Sequence, residues 1–205
     1  MTDIRPLRPD DLPAAARLVD GTLHQIPLYQ AMLGQYTERA DIRDWLCRAL
    51  IRGSIAGGTA VGAFADDRLV GVLTWSIGDR PAPAPEPDQL AADARFLAGL
   101  PDLAGRLQRA WDDEHTLLTH PDPTAVAVQI AAVDPEHRRG GTLYALVEPV
   151  EELCRTQGRP YTCWTGSDDL RQGFSSARTV VDSRTVTVCG VPMHFLEFDV
   201  AALGG

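Results

Sequence analysis

The sequence contains no lysine and no asparagine, so all 19 of its basic residues are arginine. Without lysine the chain cannot form a Schiff base with a carbonyl substrate, and that class of covalent catalysis is excluded. Both missing residues have A-rich codons, so a GC-rich bacterial source accounts for their absence.

Long apolar runs and clustered cysteines are missing as well. No run approaches the roughly 20 apolar residues of a membrane span, and residues 1–11 lack the apolar core of a signal peptide. The four cysteines, Cys47, Cys154, Cys163 and Cys189, show no CxxC or Cys/His ligand spacing. We therefore expect a cytoplasmic protein without a metal site, whose thiols are buried as small apolar groups.

Positive charge is scarce, since 28 acidic residues outnumber the 19 arginines and leave a net charge of −9. This balance argues against a nucleic-acid partner, which requires basic patches. It suits a cationic, amine-bearing small molecule, although simple solubility is by itself the better explanation. The length predicts one domain over residues 1–205, and a homodimer is compatible with it.

Hydrophobic periodicity predicts a mixed α/β order with antiparallel hairpins around one central βαβ unit. A proline-rich connector and a helical insertion, broken at Gly99 and Pro101, occupy residues 79–120. The predicted strands cover residues 3–8, 58–65, 68–77, 125–133, 159–165, 179–189 and 192–200. The predicted helices cover residues 13–19, 37–52, 142–157 and 167–177, while residues 21–37 show no clean periodicity.

The most informative segment joins the buried strand 125–133 to the helix that starts at Thr142. Arg138, Arg139, Gly140 and Gly141 lie between them. Free backbone N–H groups and the positive end of a helix dipole make such a loop an anion site, and glycine allows close backbone approach. The dinucleotide motif GxGxxG and the phosphate-loop ending GK[ST] are absent, and an ordinary solvated turn is the remaining alternative.

This order of elements, with PEHRRGGTLYAL after a buried strand, resembles the GNAT superfamily of acyl-CoA-dependent N-acyltransferases. Arg138, Gly141 and Leu143 fall on the Gln/Arg, Gly and Gly/Ala positions of the family loop; Leu143 departs from that pattern, and Gly140 preserves flexibility. More loosely, HTLLTHPDP and GGTLYALVEPVEE are similar to the puromycin-acetyltransferase branch.

The resemblance implies a mixed, mostly antiparallel sheet of six or seven strands, flanked by helices, with the insertion between strands 3 and 4. It also implies acetyl-CoA or another acyl-CoA as co-substrate, bound where the central strand splays from its neighbour near Val133. The acceptor would be a small amine such as an antibiotic or another specialised metabolite. The cofactor-binding residues expected on this basis are Val133, Arg138, Arg139, Gly140, Gly141 and Thr142.

The catalytic residues are harder to place, because the position of the common family glutamate is Ala127. Gln129 lies on the same face but cannot act as a base. His115 and His120 are the candidate bases, since the ordinary pKa of histidine suits proton transfer near neutral pH. For each, a plain surface residue at a helix end is the alternative. Weaker candidates are Asp113, Glu114, His24 and Tyr29.

The proton donor of the family is missing too. Ser167 and Phe174 occupy the positions of its asparagine and tyrosine, and only Ser175 or Ser176 offers a hydroxyl nearby. These departures leave two alternatives open. The chain could perform altered chemistry on this fold, with another acyl group or nucleophile in a biosynthetic pathway, or it could be a non-catalytic acyl-CoA-binding or regulatory module.

Overall fold

A computed structural model describes residues 2–138 and 140–202. Its strands are β1 (Asp3–Pro6), β2 (Ala60–Ala65), β3 (Arg68–Ile77), β4 (Val126–Val133), β5 (Tyr161–Thr165), β6 (Val180–Val188) and β7 (Val191–Phe198). Its helices are α1 (Leu12–Leu23), α2 (Pro27–Leu33), α3 (Ala40–Ala56), α4 (Pro87–Ala98), α5 (Pro101–Leu117), α6 (Thr142–Gln157) and α7 (Asp168–Ala177).

The strands form one sheet in the order β1-β2-β3-β4-β5-β7-β6. Every neighbouring pair is antiparallel except β4 and β5, which are parallel because the α6 crossover joins them. The predicted mixed, mostly antiparallel sheet is confirmed, as are the insertion (α4 and α5) between β3 and β4 and its break at Gly99.

Helices cover both faces of the sheet, and each face has its own core. We call these the α1 face, packed by α1, α2, α3 and α5, and the α6 face, packed by α6 with Phe174 of α7 at its edge. The α1-face core includes Ala15, Val19, Ile42, Leu46, Leu103 and Phe195. The α6-face core includes Val61, Leu73, Val126, Leu146, Val150 and Phe198.

Two predictions in the N-terminal third were wrong. The first helix continues to Leu23, because an isolated glycine (Gly21) is tolerated inside a packed helix. Residues 21–37, predicted without an element, contain α2, which is too short to show a clear period. Pro27 sits at the start of α2, where its missing N–H is harmless, and the buried Leu28 and Met32 fix the helix against the core.

Three of the four cysteines are buried, as the sequence predicts. Cys47, Cys154 and Cys163 are buried, and burial raises the pKa of each thiol to about 12. Thiols held in that state are poor nucleophiles and poor metal ligands. Cys189 is only partly buried and lies in the turn between β6 and β7.

Two further observations concern membranes and metals. No helix in the described part of the chain is both long and apolar enough to cross a membrane. Asp134, Glu136 and His137 lie close enough together to hold a cation. The guanidinium of Arg68 approaches both carboxylates, at 3.0 Å from Asp134 and 3.8 Å from Glu136, and so offsets part of their negative charge.

Candidate active site

A cleft opens where β4 and β5 part. The two strands pair only from Val126 with Tyr161 to Val128 with Cys163. Beyond that point β4 pairs only with β3, as far as Val133, while β5 pairs only with β7, as far as Thr165. Within residues 2–138 and 140–202, no strand covers the β5-facing edge of β4 after Val128. The free N–H and C=O groups of this edge can therefore form hydrogen bonds with an extended, amide-bearing ligand, as they would with an additional β-strand.

A β-bulge in β4 marks the start of this cleft. Thr74 pairs with Ile130 and Trp75 pairs with Val128, so Gln129 is the extra residue. The bulge reverses the alternation of side chains. Val126 and Val128 lie in the α6-face core, whereas Ile130 lies in the α1-face core. The bulge therefore coincides with the point at which β4 and β5 stop pairing.

The N-terminus of α6 lies at the mouth of the cleft, because β4 runs directly into the loop before it. Gly141 precedes the helix with φ +80°, a conformation that favours glycine, and no side chain of the described residues caps it. The first helical bond runs from the Ala145 N–H to the Gly141 carbonyl at 3.0 Å. Among the described residues, no group accepts a hydrogen bond from the N–H groups of Thr142, Leu143 and Tyr144, so these donors can bind an anion.

Close packing fixes this helix end over the sheet. A Cβ at Gly71 of β3 would lie 2.8 Å from Leu146 Cδ1 and 3.3 Å from Thr142 Cγ2. The glycine therefore lets the first turn of α6 approach the strand, and Thr142 is buried there. A helix N-terminus held this rigidly does not need to reorganise when it binds an anion.

The expected cofactor-binding residues have different surroundings. Arg138 Nε donates to the Val133 carbonyl at 3.0 Å, which fixes the start of the loop, while the side chain stays exposed. Gly140 and Gly141 are exposed beside α6. Arg139 lies outside the described residues. The assignment of this set to cofactor binding stays a prediction.

A polar pair on the α1 face is the feature that sequence reasoning found only in part. His120 follows α5, and its Nε2 lies 3.2 Å from Glu197 Oε2 on β7. The backbone N–H of Asp122 donates to His120 Nδ1 at 3.0 Å, so Nε2 carries the proton and donates it to Glu197. Both ring nitrogens of His120 are thus occupied, and the carboxylate of Glu197 retains free lone pairs.

The sheet register places this carboxylate in line with Ala127. Ala127 pairs with Thr162, and Thr162 pairs with Glu197, so the three residues form one row across β4, β5 and β7. Leu196 and Phe198 point into the α6-face core, so Glu197 points to the α1 face, as does Ala127. Two strand spacings of about 4.8 Å each separate the two positions. Glu197 therefore lies in the same cross-strand row as Ala127, the position at which the resemblance implies a glutamate.

The other candidate catalytic side chains are less engaged. His115 is exposed on α5, and Ser175 is exposed on α7; neither side chain has a hydrogen-bond partner among the described residues. Ser176 Oγ donates to the Gln172 carbonyl at 2.8 Å within its own helix. His115 and Ser175 remain predictions that no contact in the structure supports.

A second histidine, His194 on β7, was not among the candidates taken from the sequence. His194 Nε2 lies 3.3 Å from Asp168 Oδ1 at the start of α7, and its Nδ1 lies 3.0 Å from Thr185 Oγ1 on β6. His194 pairs with Thr165 at the end of β5. These contacts anchor α7 to the sheet, and both ring nitrogens are occupied.

Glu114 on α5 is partly buried without an ion-pair partner among the described residues. Burial raises the pKa of this carboxyl. Burial also raises the pKa of Tyr29 on α2, and the charge of Glu114 contributes to this rise. The folded state therefore holds the proton of Glu114 more tightly than the unfolded chain does. The free energy of unfolding should fall as the pH rises above the ordinary glutamate pKa of about 4.3.

We expect Glu114→Gln to raise the melting temperature at pH 8 by about 2–4 °C, the shift that 1 kcal/mol produces in a domain of this size. At a pH below the ordinary glutamate pKa of about 4.3 the difference should vanish, because Glu114 is then protonated in both states. Melting curves at both pH values test this. Glu148→Gln, on an exposed position of α6, is the control; an equal effect there, or no effect at Glu114, would contradict the assignment.

Comparison with known proteins decides the fold. No protein-family model matches the sequence, and no curated protein matches it. Among solved structures, a histone acetyltransferase HPA2 and related acetyltransferase from Corynebacterium glutamicum has a TM-score of 0.65 at 15% identity, over 96% of this chain and 94% of its own. A protein from Desulfovibrio desulfuricans, described as a GNAT-family acetyltransferase, has a TM-score of 0.53 at 17% identity, over 98% of both chains. The chain has the GNAT fold.

A third similar structure is that of an enzyme that acts on polyamines. The polyamine N-acetyltransferase of Drosophila melanogaster, which forms N-acetylagmatine, has a TM-score of 0.56 at 16% identity, over 96% of this chain and 99% of its own. Identities this low establish the fold and leave the substrate open. The looser resemblance to the puromycin-acetyltransferase branch gains no support from these structures.

Proposed function

We propose that this GNAT-fold chain is an acyl-CoA-dependent N-acyltransferase that transfers an acyl group, acetyl in the simplest case, to a small amine. The observation that carries the proposal is the parting of β4 and β5 at the Gln129 bulge, next to the uncapped start of α6. This arrangement fits an extended ligand with amide groups in its arm and a pyrophosphate at its end. Such a co-substrate supplies a thioester as the acyl donor.

The chain's backbone has two roles in this proposal. The N–H groups at the start of α6 hold the pyrophosphate, and the free N–H groups of β4 after the bulge donate to the thioester carbonyl. Donors fixed by a strand and a packed helix stabilise the negative charge that develops on that oxygen when the amine nitrogen attacks the carbonyl carbon. The C–S bond then breaks, and the thiolate needs a proton.

Glu197 is the proposed general base. An alkylamine is mostly protonated near neutral pH, so it must lose a proton before it attacks. Glu197 lies in the row of Ala127 and has free lone pairs, and it can accept this proton directly or through a water molecule. His120 is a positioning residue, because its Nε2–H holds the carboxylate while its own Nδ1 accepts from the Asp122 N–H.

The proton for the thiolate has no side-chain source at the family's tyrosine position. Phe174 packs against Phe198, with ring centroids 6.2 Å apart, in the α6-face core. We propose that water in the cleft relays to the thiolate the second proton, which the attacking nitrogen loses as the C–S bond breaks.

The second candidate function is acyl-CoA binding without catalysis, and the alanine at position 127 together with Phe174 favours it. Thermal shift with acetyl-CoA and release of free thiol in the presence of an amine panel separate the two functions. Stabilisation and thiol release with at least one amine are expected. Stabilisation without thiol release for any amine favours the binding module, and no stabilisation at millimolar acetyl-CoA would overturn both.

The acyl group and the acceptor are part of the same proposal. The Drosophila structure is that of an enzyme for polyamines, which supports an amine acceptor here. Altered chemistry on the same fold, with another acyl group or nucleophile, predicts thiol release that depends on a different donor or on an alcohol acceptor. Including longer acyl-CoA donors and alcohols in the panel distinguishes these cases.

A further inference from the structure

One of the two edges of the sheet is long and uncovered. The outer strands are β1 and β6. β1 has only four residues and ends at Pro6, which limits the ladder that another chain could form with it. β6 has nine residues and no proline, and no strand of the described residues pairs with its outer edge. A further strand can therefore add to the sheet at β6.

The β6–β7 turn determines which residues of β6 present free backbone groups at this edge. Cys189 and Gly190 form a two-residue turn, with φ of +50° and +80°, after the closing pair of Val188 and Val191. In such a hairpin the closing pair is hydrogen-bonded, and so is every second pair after it. Pro192, which has no N–H to donate, lies in one of the pairs between. The residues whose N–H and C=O groups therefore point to the free edge are Ser183, Thr185 and Thr187.

Two charged residues restrict the register in which two copies of β6 can pair. Asp182 and Arg184 flank Ser183 in the strand. Both side chains lie on the α1 face, because Arg184 covers the ring of Phe195 and contacts Asp182 at 3.2 Å. A two-fold axis at Asp182 would place two aspartates opposite each other, and an axis at Arg184 would do the same with two arginines. Both arrangements are destabilising.

A two-fold axis at Ser183 avoids both conflicts. It places each Asp182 opposite Arg184 of the partner subunit, so antiparallel pairing creates two cross-strand ion pairs. It also lets the free N–H and C=O groups of Ser183 bond with those of the other copy. An axis at Thr185 would instead place both charges opposite valines. The charges of β6 are thus complementary to themselves when the axis lies at Ser183.

The single chain leaves an excess of negative charge beside this edge. Asp182 lies opposite Glu197 of β7, and like charges in opposite positions destabilise a sheet. Arg184 supplies one positive charge to these two carboxylates through its contact with Asp182. In the register through Ser183, the partner subunit's Arg184 supplies a second. Pairing of two copies therefore offsets a repulsion that is present in one.

We propose that two copies of this chain form a homodimer by antiparallel pairing of their β6 strands, with the two-fold axis at Ser183. The two sheets then join into one, and both free β6 edges are covered. Pairing also removes from water part of Val181, which is 57% exposed in the single chain. A second copy is the occupant that Asp182 and Arg184 select, because in the reverse direction the two residues complement each other. Strands β5 and β7 separate this edge from the β4–β5 cleft, so the dimer does not depend on the proposed reaction.

The first test uses two charge variants that can pair only with each other. Asp182→Arg carries two arginines at these positions, and Arg184→Asp carries two aspartates. Each variant alone should dimerise at least about tenfold more weakly than the unmodified protein, while an equimolar mixture should form a one-to-one dimer. Both variants have lost the ion pair within the chain, so only a contact between subunits explains association of the mixture. Because one strand pair is a small interface, sedimentation velocity is measured up to about 200 µM.

A second test avoids the contact between Arg184 and Phe195, whose loss could destabilise a charge variant. Ser183 is exposed, and its two copies would form a hydrogen-bonded pair with Cα atoms about 5.5 Å apart, within the range of a disulfide. In a Cys189→Ser background, which removes the one cysteine that is not buried, Ser183→Cys should form a linked dimer under mild oxidation. Thr187→Cys is the control, because the same axis places its two copies about 27 Å apart.

Three outcomes would overturn the proposed dimer. The first is an unmodified protein that stays monomeric over the whole concentration range. The second is a mixture of the two folded charge variants that associates no better than each variant alone. The third is equal cross-linking of Ser183→Cys and Thr187→Cys, which would place any dimer contact elsewhere. If a charge variant does not fold, as its melting curve reports, the cysteine pair decides.

Discussion

Replacing Gly141 by glutamate should abolish acetyl-CoA binding. Gly141 stands directly before α6, where the free N–H groups of the first helical turn face the mouth of the β4–β5 cleft. A carboxylate there would place negative charge at the proposed pyrophosphate position. It would also accept hydrogen bonds from the N–H groups that the pyrophosphate needs, as an N-terminal cap does. We expect affinity to fall at least about 100-fold, and calorimetry with acetyl-CoA measures it.

The same helix supplies a matched control for backbone strain. Gly158 ends α6 with φ +61°, close to the +80° of Gly141, and neither position has an atom within 4 Å of an added Cβ. Gly158→Glu therefore introduces the same residue in the same backbone region at the opposite end of the helix. Both variants should lose comparable stability, whereas only Gly141→Glu should lose the ligand.

A third variant isolates the charge. Gly141→Asn keeps a residue that tolerates positive φ and adds no negative charge. It should bind acetyl-CoA more tightly than Gly141→Glu at equal melting temperature. Retained affinity in Gly141→Glu, or an equal loss in Gly158→Glu, would show that the pyrophosphate does not bind at this helix end.

The sequence predicts α6 well because both of its ends are encoded locally. Glycines that adopt positive φ bound it, and the structure begins and ends it at the predicted Thr142 and Gln157. The hairpin of β2 and β3 is also local, since Asp66 and Asp67 adopt the positive φ values that such a turn requires. Elements of this kind depend on a few neighbouring residues.

The residues proposed for catalysis depend on the sheet order instead. His120 and Glu197 are 77 residues apart in the sequence. They meet because β7 lies between β5 and β6 in the sheet. Glu197 alone looks like an ordinary outward residue of an alternating strand. The bulge at Gln129 likewise leaves no mark in the sequence, because it appears only in the register between β3 and β4. Residue type therefore singled out His120 from the sequence, whereas Glu197, the proposed base, could not be recognised without the order of the strands.

Replacing Glu197 by glutamine should lower kcat about 100-fold or more at pH 7, the usual contribution of a general base. Glutamine keeps the size of the side chain and can accept the hydrogen bond from His120, but it cannot take a proton from the amine. Acetyl-CoA affinity should not change, because Glu197 lies on β7, away from the start of α6. Steady-state thiol release, with calorimetry for the co-substrate, measures both quantities.

The pH dependence distinguishes a missing base from a disturbed fold. Without Glu197 the reaction depends on amine that is already neutral in solution, so the rate of the variant should climb with pH toward the amine pKa of about 10. The deficit relative to the unmodified enzyme should shrink accordingly, whereas structural damage would leave a constant deficit. His120→Gln, which removes the positioning contact, should cost about tenfold with the pH profile retained. Glu148→Gln on exposed α6 is the control, and a Glu197→Gln enzyme with more than half of the original kcat at pH 7 would rule Glu197 out as the base.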